Sequence, residues 1–395
     1  MITDRRQAFN TGFSEAQYQS YIAQLERVCG TEIAFRICET PLFIPAEFEQ
    51  KLYSTAQDIV AQCMSDRVLA HSDGAFPEGR IFPNETAKPE FLAVDFAVVN
   101  EQDGSPGLRL IELQGFPTLF GWQERFGATA LEHYQLDGLR HLPAEMTSES
   151  YRMHLASAIL GDHPPEETVL LEVDPWSQKT LPDFLITRDM LGIPIVDVTT
   201  VEKSGRELYY RSEDGRRHCI RRIYNRAILD EIQSRDIAVP FSFEDELDVE
   251  WAPHPNWFFR LSKHSIPYLD HPAVPESLFL DQLDELPHQL ERWVLKPLHS
   301  FAGSGVIVGP RREDIERIPN ERRKDFILQE RIEYAPILDT PEGGTMVELR
   351  AMLLWTEEEP RPVNILVRTG RGKMMGVDYN KNLTWVGTTC CLIEE

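Results

Sequence analysis

The chain has 395 residues, 42% of them apolar and 26% charged, with a formal charge of −24; it is long enough for two or three domains with a large buried core, and this composition excludes wholesale disorder. So acidic a surface repels a phosphate backbone, and no Lys/Arg-rich face with interleaved aromatics is present, which argues against a nucleic-acid partner. There is no apolar run of about 18 residues and the opening MITDRRQAFNTGFSEAQ holds no apolar leader, so the expectation is a cytoplasmic chain with no membrane partner.

Residues 1–75 carry apolar positions at helical spacing in YQSYIAQLERV and PAEFEQKLYSTAQDIVAQCM, with Pro41 and Pro45 marking the break between two helices. From Phe91 the pattern changes to strands. FLAVDFAVVN and LRLIELQGF flank a Gly/Pro-rich turn and predict a β-hairpin. Asp95 and Glu112 interrupt these apolar strands, and Gln114, two residues after Glu112, shares its face. A buried carboxylate is costly unless it is paired or bound to a cation. Two acids and an amide from paired strands supply the oxygen-rich set that Mg²⁺ prefers when it also holds nucleotide phosphates. The alternative is that these acids cap a turn or pair with Arg109.

A helix is predicted over TLFGWQERFGATALEHYQLDGLRHL, then a strand at Val169–Pro175, a helix in LPDFLITRDMLG closed by Gly192, and a strand in IPIVDVTT, which together describe a βαβ unit. A hairpin turning at Asp214-Gly215 follows, and Arg226 stands at the end of the strand begun by Ile223-Tyr224, within reach of an anionic group. Lys263 lies beside the apolar run NWFFRL. In WVLKPLHSFAGSGVIV, Lys296-Pro297 ends a strand, small residues form a loop, and a second β-branched run leaves it. Backbone amides of such a loop can fold over phosphates while Lys296 supplies a point charge; an ordinary surface turn fits the same letters. The spacing fits neither a Walker loop nor a dinucleotide fingerprint. FILQERIEYAP ends a strand at Gln329-Glu330, and GGTMVELRAMLLW is an apolar strand broken by Glu348 and Arg350 on one face. The six cysteines form no C-x-x-C pair, which argues against structural zinc and a disulfide framework.

In this order the residues resemble the circularly permuted ATP-grasp ligases, the branch that includes glutathione synthetase and glutathionylspermidine synthetase. Asp95-Phe96 followed by Glu112-Leu-Gln114 and Gly115-Phe116-Pro117-Thr118 is similar to that branch's Asp-Phe, Glu-x-Asn and Thr-containing loop, with Gln114 replacing Asn and displacing the amide by about one methylene. The resemblance, carried by short motifs from about Phe91 to Lys373, implies that Asp95, Glu112 and Gln114 hold Mg²⁺. It implies further that Lys263 and Lys296 flank the phosphates of ATP and that Ser300, Gly303, Ser304 and Gly305 close as a lid. Gln329, Glu330 and Ile332 would meet adenine and ribose, and Arg368 and Arg226 would hold a substrate carboxylate. Gly370 stands where the branch has a Lys after Arg-Thr.

The implied fold is α/β (α+β), ATP-grasp-like, with antiparallel sheets around a nucleotide site. A helical segment would span 1–90, metal-binding strands 91–160, an inserted α/β substrate domain 161–255 and the hairpin subdomain 256–395. The implied function is ATP- and Mg²⁺-dependent amide formation between small-molecule carboxylate and amine substrates through an acyl phosphate. A nucleotide-binding protein without ligase activity and a small-molecule phosphotransferase are the alternatives.

Overall fold

The computed structural model describes residues 2–77, 81–299, 304–372, 375, 380 and 382–394. Its centre is an antiparallel sheet in which Gly387–Glu394, Arg361–Gly370, Gly343–Leu354, Phe91–Asn100 and Pro106–Gln114 lie side by side. The strand Leu42–Pro45 adds to its edge, parallel to Gly387–Glu394. That strand is a departure from the helical reading of the N-terminal region: its partner lies at the opposite end of the chain, so no local pattern announces it.

Local chemistry sets the flanking elements. Helix Glu15–Cys29 starts where the Ser14 side chain accepts from the Gln17 N–H and stops at left-handed Gly30, burying Tyr18, Tyr21, Leu25 and Cys29 along one face. Helix Ala46–Cys63 lays Phe48, Leu52 and Ala56 in one core with Val94, Phe96, Leu349 and Val367 of the central sheet.

A parallel sheet of Glu250–Ala252, Arg222–Asn225, Thr168–Glu172 and Ile195–Asp197 forms a second layer. Helix Leu181–Leu191, ended by left-handed Gly192, is the crossover between its last two strands. The hairpin at Gly215 (φ +80°) belongs to a small meander of Glu202–Ser204, Glu207–Arg211 and Arg217–Ile220. The remaining sheet pairs Ser277–Phe279, Phe326–Glu330, Trp293–Pro297 and Ile307–Val308, all antiparallel. Among the described residues no helix is long and apolar enough to cross a membrane, and the six cysteines are unpaired.

Candidate active site

The central sheet carries a row of charges across four adjacent strands. Arg368 is directly opposite Glu348, Arg350 opposite Asp95, and Asp95 opposite Glu112. Alternation puts these side chains on one face, where opposite charges on neighbouring strands meet. Arg350 Nε donates to Asp95 Oδ1 at 2.5 Å and its Nη2 to Oδ2 at 2.6 Å, a two-pronged pair inside the protein. Arg368 Nη2 donates to the same Oδ2, while its Nε lies 3.2 Å from Glu348. Glu348 in turn accepts from the Tyr334 hydroxyl at 2.6 Å.

Burial alone would raise the Asp95 pKa, but the guanidinium groups of Arg350 and Arg368 outweigh it and hold the carboxyl below its ordinary value. Burial raises the Glu348 pKa, with Arg368 and Tyr334 opposing. Gln114 is oriented with its amide oxygen toward Arg350, since the reverse would set donor against donor; the oxygen then accepts from Nη1 at 3.1 Å and Nη2 at 3.2 Å.

This row floors a cavity of about 640 Å³ walled by Glu112, Gln114, Arg350 and Arg368 on one side and by Glu172, Arg226, Lys263 and His299 from the other layers. Glu172 and Arg226 stand at or just beyond the carboxyl ends of two neighbouring parallel strands, the edge at which open α/β sheets bind ligands. Burial pushes Glu172 up to about 8, with Arg226 opposing. Arg226 is buried, donates to the Pro117 carbonyl at 2.6 Å, lies 3.6 Å from Asp183 and packs over Phe184. Burial would lower the Arg226 pKa, but Tyr224, Asp183 and Glu172 raise it.

Of the residues the sequence singles out, Glu112, Gln114, Arg226, Lys263 and Arg368 share this wall, with Asp95 held behind it. Lys296 is absent from the wall. Its ammonium crosses between sheets, donating to the Ile111 carbonyl at 3.0 Å and to Gln329 Oε1 at 2.5 Å, and burial lowers it to about 8. Glu330 is part-exposed 3.4 Å from Arg292, and Ile332 is part-exposed beyond the strand. Neither Glu330 nor Ile332 lines the cavity. Ser304 and Gly305 form an exposed turn, and Gly305 is required there because its φ is +73° and a Cβ would lie 2.9 Å from Pro297 Cγ. Ser300 and Gly303 lie outside the described residues.

Arg109, the alternative partner for Asp95 and Glu112, pairs with Glu101 at 2.9 Å. Arg109 is therefore not their partner; Arg350 and Arg368 pair with Asp95 instead. Sequence reasoning missed Glu172 as a site residue, although an acid in the apolar run VLLEV was a signal. It also gave Arg350 no role.

The expected Mg²⁺ set does not fit this arrangement. Both Asp95 oxygens and the Gln114 oxygen are occupied by guanidinium N–H groups, so of the three expected ligands only Glu112 presents an oxygen to the cavity. Among the described residues no cluster of three or more His, Cys, Asp or Glu is placed to hold a metal ion.

The chain has a glutathione synthetase-like fold. One solved structure with it is a glutathione synthetase-like effector from Globodera pallida in apo form, 13% identical to this chain, matching 96% of each chain with a TM-score of 0.58. No protein-family profile and no curated protein sequence matches the chain.

Proposed function

We propose that the chain is an ATP-dependent carboxylate–amine ligase built on a circularly permuted ATP-grasp arrangement. The observation that carries this reading is the mixed charge of one cavity: Arg226, Lys263, Arg350 and Arg368 supply positive charge for anionic groups, and Glu112 supplies a carboxylate for an ammonium. A ligand joining an acid to an amine needs both kinds of partner at once. In the reaction the γ-phosphoryl group passes to the substrate carboxylate and ADP departs. The amine then attacks the acyl carbon, phosphate leaves with the C–O electron pair, and the nitrogen gives up a proton to form the amide. Glu172, raised to about 8, is poised to exchange that proton near neutral pH. Arg226 holds the carboxylate of the acid or amine substrate, and Lys263 meets the phosphoryl charge.

The test is ADP release with ATP and a panel of amino acids, short peptides and diamines, with the product weighed by mass spectrometry. Turnover that produces an amide and falls by more than about a hundredfold in Arg226→Met supports the reading. Normal turnover in both Arg226→Met and Lys263→Ala refutes these assignments. A phosphorylated product would make the chain a phosphotransferase.

A second reading, a nucleotide-binding protein without ligase activity, is favoured by the commitment of Asp95 to Arg350 and Arg368. ATP binding without ADP release across the panel is its expected result.

A further inference from the structure

We propose that Arg350 is the resident cation of this cavity: its guanidinium stands where a divalent ion bridging Asp95, Glu112 and Gln114 would have to sit, so the protein takes its anionic ligand without recruiting a metal. An ion shared by those three side chains must lie within about 2.0–2.6 Å of an oxygen from each. That space is filled. Arg350 is buried, contacts Asp95 along one edge and the Gln114 oxygen along another, and has Nη2 4.0 Å from Glu112. Its position is fixed by strand register, Arg350 being directly opposite Asp95, rather than by a flexible loop.

Bringing a divalent ion into the set would place it against a guanidinium in a poorly solvated pocket, or would require breaking the pair and leaving Asp95 to Arg368 alone. Arg350 and Arg368 both line the cavity; with its fork given to Asp95 and Gln114, Arg350 contributes positive charge to that wall, and Arg368, held on Asp95 through Nη2, adds a second guanidinium that suits a carboxylate or phosphoryl group. Only the identity of that anion as a nucleotide rests on the ligase reading.

Mn²⁺ serves as the probe, because bound and free ion are distinguished by electron paramagnetic resonance without any turnover. Wild type is expected to show no site tighter than the millimolar range. The variants Arg350→Gln and Arg350→Ala, checked for folding by circular dichroism, are expected to acquire one site that disappears when Glu112→Gln is added. Calorimetry of wild type with ATP should give affinities in excess EDTA and in excess Mg²⁺ that agree within about threefold.

A micromolar Mn²⁺ site in wild type that is lost in Glu112→Gln overturns the proposal. So does a folded Arg350→Gln that gains no site, or ATP affinity that drops by more than about tenfold in EDTA. If both Arg350 variants fail to fold, the wild-type and Glu112→Gln titrations still decide. Absence of ATP binding under either condition would count against the ligase reading, while the Mn²⁺ comparison would stand.

Discussion

Replacing Asp95 by Asn keeps the shape of the side chain and removes its charge at the point where two guanidinium groups converge. Asp95 is 1% exposed, so water does not make up the loss. Removing one partner of a buried ionic cluster costs about 3–5 kcal/mol, because an uncompensated ion is left inside. Here Glu348 remains 3.2 Å from Arg368 and Glu112 remains 4.0 Å from Arg350, which favours the lower end, about 3 kcal/mol. With a urea m-value of about 3 kcal/mol/M, the midpoint falls by about 1 M. The effect carries a pH signature. The Asp95 pKa is depressed in the folded protein, so its contribution is present above the unfolded value, near 3.9, and is lost as pH falls through the folded value. Urea unfolding of wild type and Asp95→Asn at about pH 7 and again below about pH 4 should therefore show a wide gap that narrows in acid. A difference under about 0.5 kcal/mol at neutral pH would refute the ionic cluster as a structural element. A gap that does not change with pH would refute the charge argument.

Glu172 gives the opposite sign. Its folded pKa is about 8, so wild-type stability declines as pH rises from the unfolded value near 4.3 toward 8, and Glu172→Gln should gain on wild type across that window by up to about 5 kcal/mol. Thermal unfolding near the two ends checks it, and an equal difference at both contradicts it. Lys296, lowered to about 8, costs stability while charged; wild type should recover some as pH rises from 8 toward about 10.4, and Lys296→Met should flatten that rise in the same assay. Gly121→Leu places a Cβ 2.5 Å from Thr187 Oγ1 and 3.3 Å from the Asp183 carbonyl, and overpacking of this kind costs about 1–3 kcal/mol. The melting temperature should drop, with an unchanged value disproving close helix contact.

What the sequence revealed follows from how locally each feature is encoded. Gly30, Gly192 and Gly215 mark stops and turns because a left-handed backbone is decided by the residue itself. The pair Phe91–Asn100 and Pro106–Gln114 was legible because its turn is short. Register across strands far apart in the chain is not encoded this way, and the candidate site depends on it. An acid in an apolar strand has two ways to avoid its desolvation cost: a cation from solvent or a cation from the chain. Asp95 and Glu112 pose that choice without answering it. Glu348 and Arg350 were visible as charges on one face of GGTMVELRAMLLW, yet only the pairing of Arg350 with Asp95 turns them from isolated charges into partners. Shifting that strand by one residue would carry Arg350 to the other face and leave Asp95 without this guanidinium. The choice between a metal-dependent and an arginine-dependent site therefore resides in register, and for that reason replacing the one residue Arg350 tests it.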